Sequence, residues 1–197
     1  MKKIEIVWCQ LLFEVLEKRQ TRFQIQELAS KLGISLSTVH HSLINLRQMG
    51  AIEMGGNGGQ IIDTEKILMH WANNRKLDTD IVFRGKVCGQ VTEVEGLLPA
   101  GSILGAYSAV VSWYKEAPAD YSTVYVYHSN ANKVIERFKG EEGDETELVV
   151  LQLDKRLPLR GETTSLGHTF VDLWNIKDWM TKDFIKRIRQ EIDEVLS

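Results

Sequence analysis

Apolar residues recur at helical spacing from the start of the chain. Ile4, Val7, Leu11, Leu12, Val15 and Leu16 form one stripe and predict an amphipathic helix over 4–19, ending in the polar run EKRQ. Arg22 and Phe23 make a short extended piece, and Ile25, Leu28, Ala29 and Leu32 predict a second helix over 24–32. Gly33 stops it, because glycine takes the left-handed conformation at little steric cost. Ser35 is placed to cap the next helix. In that third helix Leu36, Val39, Leu43, Leu46 and Met49 recur on one side and face a core. Ser37, Thr38, His41, Asn45 and Gln48 fall on the other side, with Ile44 among them. After Gly50, AIEMGGNGGQIID reads as two short strands around a glycine-rich tip at Asn57, which is a hairpin.

Helix, helix, tight glycine turn, helix and hairpin is the order of a winged helix-turn-helix, and residues 4–64 resemble one. The features that carry the resemblance are IQELASKLGISLSTVHHSLINLRQMGAI and the wing EMGGNGGQII. It implies that the third helix lies in the major groove of double-stranded DNA with its N-terminal half against base edges. Side-chain chemistry fits that role. Hydroxyls bond phosphates or bases, Asn45 and Gln48 can pair with adenine, and Ile44 can touch a thymine methyl. The candidate DNA-binding residues are Arg22, Ser35, Ser37, Thr38, His41, Ser42, Asn45, Arg47, Gln48 and, on the wing, Asn57. The wing tip GGNGG carries no charge, although phosphate neutralisation supplies much of DNA affinity. Single-copy binding is therefore expected to be weak, and a homodimer on a two-fold site is the natural remedy.

Past the hairpin, EKILMHWANN (65–74) predicts a connecting helix, and the polar stretch NRKLDTD (74–80) marks a boundary between a unit at 1–75 and a unit at 80–197. IVFRGKVCGQVTEVEGLLPAG alternates as one or two strands. SILGAYSAVVSWY predicts a buried helix over 102–114, with Gly101-Ser102 as its cap. TVYVYH is a strand by its β-branched and aromatic content, NANKVIERF a short helix and ELVVLQL another strand. LGHTFVDLWNI reads as a helix. A final helix from Thr181 buries Phe184, Ile188, Ile192 and Val195. Strands mixed with helices make the second unit, and the fold class as a whole, α+β.

Residues 100–190 resemble the C-terminal domain of AbiEi-type antitoxins. The carrying features are the small-residue helix with Ser108-Ala109, the Tyr-Val-Tyr strand at 125–127, and Val171-Asp172-Leu173 before the last helix, in that order behind a winged helix. The resemblance implies a nucleotidyltransferase-like domain without the activity, repression of the protein's own operon and, for some members, neutralisation of a toxin protein.

Charge refines this picture. The chain has a net charge of -3, yet residues 1–75 carry nine basic against seven acidic side chains, whereas residues 76–197 carry 15 against 20. A mildly basic front suits contact with an anion, and an acidic back suits another task. Hydrophobic residues make up 43% and charged residues 26%, enough apolar content for one or two packed cores. Cys9 and Cys88 are far apart, form neither a metal spacing nor a disulfide framework, and read as reduced thiols of a cytoplasmic protein. No apolar run approaches a membrane span.

Catalytic chemistry finds little to stand on. An active nucleotidyltransferase needs Gly-Ser at a helix start and an Asp-x-Asp on a nearby strand to hold Mg²⁺. Gly101-Ser102 is present, but TVYVYH offers Tyr125 and Tyr127 where the carboxylates belong. Phosphate-cradling loops, HExxH and CxxC are absent. His128, His168 and Asp172 read as structural groups that satisfy buried hydrogen bonds. Trp113, Trp174 and Trp179 read as packing, with a small-molecule pocket as the alternative. The expectation is a DNA-binding regulator that is not an enzyme and needs neither metal nor cofactor. A ligand-responsive regulator and a winged helix used for protein contact alone remain as alternatives.

Overall fold

The computed structural model describes all of residues 1–197. Its front is a winged helix. Helix α1 (Lys3–Lys18) leads to strand β1 (Arg22–Gln24), helix α2 (Ile25–Leu32), helix α3 (Leu36–Gln48) and the hairpin strands β2 (Ile52–Gly55) and β3 (Gly58–Ile61). Gly33 ends α2 at φ +59°, and the Ser35 hydroxyl accepts the Thr38 N–H at 3.2 Å to start α3. The buried stripe of α3 is Val39, Ser42, Leu43 and Leu46. Leu36, expected in the core, is 47% exposed, because the first turn of α3 projects beyond α1 and α2. The sheet is three-stranded in the order β1-β3-β2, all antiparallel, so the short piece at 22–24 joins the wing as an edge strand. That pairing explains a wing glycine. A Cβ on Gly58 would lie 2.1 Å from the Phe23 carbonyl oxygen, so β1 can approach only a residue without a side chain.

The remainder is a six-stranded mixed sheet clothed by helices. Helix α4 (Thr64–Asn74) is capped by Asp63, whose carboxylate accepts the Lys66 N–H at 3.0 Å. A 3-10 turn over Leu77–Asp80 leads into β4 (Ile81–Val87), α5 (Val91–Gly96), β5 (Ile103–Gly105), α6 (Ala106–Tyr114), β6 (Thr123–His128) and α7 (Ala131–Arg137). Strands β7 (Thr146–Gln152), β8 (Leu159–Arg160) and β9 (Thr163–Thr164) and helices α8 (Leu166–Asn175) and α9 (Thr181–Leu196) complete it. Strand order is β4-β7-β6-β5-β9-β8, with β6–β7 and β5–β9 parallel and the other neighbours antiparallel. The α+β class holds.

Two expectations fail locally. The helix predicted over 102–114 begins with strand β5, and its cap is Gly105; Gly101-Ser102 is a turn ahead of the strand. Residues 91–96, expected as strand, form α5. Its start is a capping box in which the Gln90 N–H donates to Glu93 Oε2 at 2.8 Å, and Val94 is its buried anchor.

Alternation along β6 divides the core. Val124 and Val126 pack with Val94, Val134 and Phe138 under α5 and α7. Tyr125 and Tyr127 point the other way, into a core that also holds Leu11, Leu12, Leu46, Trp71, Phe170 and Phe184. That second core is continuous from the winged helix to the sheet.

The segment 74–80 therefore differs from the polar boundary expected there. Arg75 is fully buried between the two parts. Its guanidinium donates to Asp80 at 2.5 Å, to Asp172 at 3.4 Å and to the Tyr127 hydroxyl at 3.3 Å, and lies 3.6 Å from Glu5. Tyr127 in turn donates to Asp172 at 2.6 Å, and Trp71 donates to Glu5 at 3.1 Å. The Met1 amine also contacts Asp80. Burial by itself would raise the Asp80 carboxyl, but Arg75 overcomes it and holds that group below the usual range. Further ties cross the same seam. The Leu166 N–H at the start of α8 donates to Glu17 at 2.8 Å, and the Asn175 amide donates to the Ala72 carbonyl at 3.0 Å.

His168 departs from its structural reading. It is completely buried, 5.5 Å from the Trp71 ring and 5.2 Å from the Tyr127 ring, and neither ring nitrogen has a hydrogen-bond partner. Its Nε2 is 3.4 Å from Asp172 but poorly aligned for a hydrogen bond. Burial, helped by Arg75, outweighs the Asp172 carboxylate and pushes the imidazole down to about 4.

Two predictions follow from this seam. Arg75→Met leaves the buried Glu5 and Asp172 without a cation and Asp80 with the Met1 amine alone, and is expected to cost about 3–5 kcal/mol; urea unfolding should show that loss in a single transition shared by the winged helix and the sheet. His168 binds its proton less readily folded than unfolded, so its contribution is complete above the ordinary value of 6.5 and drains away as pH falls toward about 4. Its size is about 3 kcal/mol. His168→Phe should flatten the stability–pH curve across that window, and an unchanged slope would contradict the assignment.

Candidate nucleic-acid interface

The exposed side of α3 is a stripe at helical spacing. Ser37, His41, Ile44, Asn45 and Gln48 all face solvent on it, with His40 and Arg47 at its margins. Ile44 is 48% exposed, so an apolar contact stands in the middle of a polar row. At the N-terminal end three hydroxyls bond one another: Ser35 lies 3.0 Å from Ser37 and 2.8 Å from Thr38. Ser35 is thus committed as the helix cap, and Thr38 is half-buried beside it. His41, Asn45 and Gln48 make no side-chain hydrogen bond within the protein, whereas the Ser37 hydroxyl is bonded to Ser35.

Ser42 does not belong to this surface. It is 1% exposed, donates to the Val39 carbonyl at 2.7 Å, and its own carbonyl accepts the Trp8 indole N–H at 2.8 Å. It docks α3 onto α1. The spacing Val39, Ser42, Leu46 already puts it in the core row, a signal that its polar type concealed.

Asn57 and Arg22 lie apart from the stripe, across the wing. Both are exposed and line a groove of about 620 Å³ between β1, the start of α2 and the hairpin. Asn57 also has a structural role, since its carbonyl accepts the Ile25 N–H at 3.2 Å and fixes the wing tip to the start of α2. The groove is rich in amides, with Gln20, Gln24 and Gln60, and holds Glu27 and Glu53 opposite Arg22.

Cations are fewer than the sequence promises. Lys31 and Lys18 both turn to Glu14, at 2.6 and 3.5 Å, and their charge overcomes burial to hold that carboxyl below its usual range. Lys66 pairs with Asp63 at 3.5 Å. Arg22 and Arg47, like Lys2, Lys3 and Arg19, have no carboxylate within ion-pair distance, and Arg47 lies at the margin of the α3 stripe.

Residues 11–54, from the middle of α1 to the first wing strand, match the family described as the IclR helix-turn-helix domain. Nothing matches the chain among curated proteins or among solved structures. The match covers under a quarter of the chain and concerns its front alone. Together with an open third helix it supports a DNA-binding transcriptional regulator whose partner is double-stranded DNA. No helix is long and apolar enough to cross a membrane.

The division between scaffold and surface is measurable. Ser35→Ala removes a cap and should cost about 1 kcal/mol of stability. His41→Ala and Gln48→Ala, which break no contact within the protein, should stay within about 0.5 kcal/mol of the parent in denaturant unfolding.

Proposed function

We propose that this protein represses the promoter of its own operon by laying α3 in the major groove. One observation carries the reading: His41, Asn45 and Gln48 stand in a row on a packed helix, exposed and without a hydrogen bond inside the protein, with Ser37 at the N-terminal end of the row. Asn45 and Gln48 supply paired donors and acceptors for adenine, and Ile44 supplies an apolar contact for thymine. Arg47 at the margin of the row and Arg22 across the wing serve as phosphate anchors. So few free cations make a single copy a weak binder, and a homodimer on a two-fold site restores affinity.

In this reading the sheet is a non-catalytic platform. Tyr125 and Tyr127 occupy the strand positions where phosphoryl-transfer chemistry wants carboxylates, and Tyr127 is spent on Asp172. The AbiEi-type resemblance extends the proposal to a toxin protein that this platform meets.

The test is titration of a fluorescent duplex spanning the protein's own promoter, across a salt series, with the double variant His41→Ala/Asn45→Ala alongside. Each lost base contact is worth about 1–3 kcal/mol, so the double variant should bind at least about tenfold more weakly while the salt slope stays the same. No binding, or binding equally weak on a scrambled duplex, would instead make the winged helix a protein-contact module.

A further inference from the structure

A cleft of about 570 Å³ opens beside the seam between the winged helix and the sheet. One wall is the segment after α4, from Leu77 to Ile81; the other is formed by β4, β6, β7 and the link between α8 and α9. Such a volume suits a small metabolite.

Tyr125 lies at its base. The residue is 5% exposed and lines the cleft, yet its hydroxyl makes no hydrogen bond within the protein. Its strand neighbour Tyr127 is spent on Asp172, whereas the Tyr125 hydroxyl is left open to the cleft.

Charges of both signs line the cleft. Arg84 and Lys177 stand on the rim with Asp78 and Asp178. Asp178 is held in place, since Tyr107 donates to Oδ2 at 3.1 Å and the Met180 N–H to Oδ1 at 3.1 Å. Arg84 is only loosely paired, 3.7 Å from Glu147. Lys177 has no ion-pair partner. Leu77, Ile81 and Ile176 supply an apolar lining between the charged ends. A polyanion is disfavoured, because carboxylates outnumber cations on these walls. A neutral hydrocarbon would leave the charges and the Tyr125 hydroxyl desolvated and unpaired.

We infer that the cleft is a binding site for a small zwitterion of the free amino-acid class, its carboxylate on Lys177 and Arg84, its ammonium on Asp178 and Asp78, and its side chain on Leu77, Ile81 and Ile176. Tyr125 bonds whichever polar end reaches the base. The site touches the machinery that holds the winged helix. Asn175 lines the cleft and bonds the last turn of α4, and Leu77 follows the buried Arg75 by two residues. Any effect of the ligand on DNA rests on the regulator reading; the site itself does not.

The experiment uses the full-length chain without DNA. Each standard L-amino acid is titrated singly by calorimetry, with saturation-transfer NMR as a second readout, against the parent, Lys177→Met and Tyr125→Phe. The expected result is saturable binding of at least one amino acid, about tenfold weaker in Lys177→Met, where a charged hydrogen bond is lost, and weaker in Tyr125→Phe. Lys177 is exposed and outside the core, so its variant keeps the fold and decides the matter even if Tyr125→Phe is unstable. Binding by none of the amino acids, or binding unchanged in Lys177→Met, would overturn the site. Failure here leaves promoter binding intact, and failure of promoter binding leaves this site intact.

Discussion

A single guanidinium, Arg75, organises the meeting of the two parts of this chain. A fully buried arginine is tolerable only where carboxylates and hydroxyls converge on it with good geometry. Here they come from every direction: Glu5 from α1, Asp80 from the following turn, Tyr127 from the sheet and Asp172 from α8. None of these can move far without leaving a charge uncompensated in a medium of low dielectric. Apolar packing of α1 against α4 and α8 provides the bulk of the attraction, but packing is non-directional. The ion cluster sets the register in which the winged helix and the sheet are joined.

That register has a consequence at the far side of the winged helix. α3 docks on α1 through Val39, Leu43 and Leu46 and through the bond from Trp8 to the Ser42 carbonyl. α1 packs in turn on α4 and α8. The reading row is therefore carried on a frame rather than on a tether, and a displacement at the seam is transmitted to it through packed elements with few soft joints. The electrostatics agree with a surface built for discrimination more than for raw affinity. Glu14 consumes two lysines, the wing tip is bare of charge, and the groups of the α3 row without a hydrogen-bond partner are two amides and an imidazole.

Elements with strong periodicity were legible in the sequence. The helices at 3–18, 25–32, 36–48 and 181–196 and the hairpin follow from stripe and turn chemistry alone, as does the cap at Ser35. The errors have local causes. Leu36 looked like core because it fits the stripe, but it sits in the first turn, where no neighbour covers it. Ser42 looked like surface because serine is polar, though its spacing put it in the core row. Residues 91–96 read as strand because valines alternate with polar residues there, whereas the reciprocal Gln90–Glu93 cap decided for helix. Arg75 was the costliest omission. Its sequence neighbours are polar, so 74–80 looked like a solvated link, and its partners lie at positions 5, 80, 127 and 172, which periodicity cannot bring together. The candidate DNA row was readable because it lies on one helix; the cleft around Tyr125 was not, because five separate segments build it.

The same distinction separates the two sites by physical character. The exposed row on α3 is complete in itself, and its chemistry survives as long as the helix is presented. The cleft exists only while the turn after α4, the sheet and the link between α8 and α9 keep their relative placement, since Leu77 and Asp78 come from the first, Ile81, Arg84 and Tyr125 from the second and Lys177 and Asp178 from the third. Anything that fills it adds contacts among those segments, and a ligand stabilises whichever arrangement it contacts best. Since the seam also fixes where α3 points, the most economical place in this molecule to bias a reading helix is the short turn between Arg75 and Ile81, where the buried ion cluster and the open cleft meet.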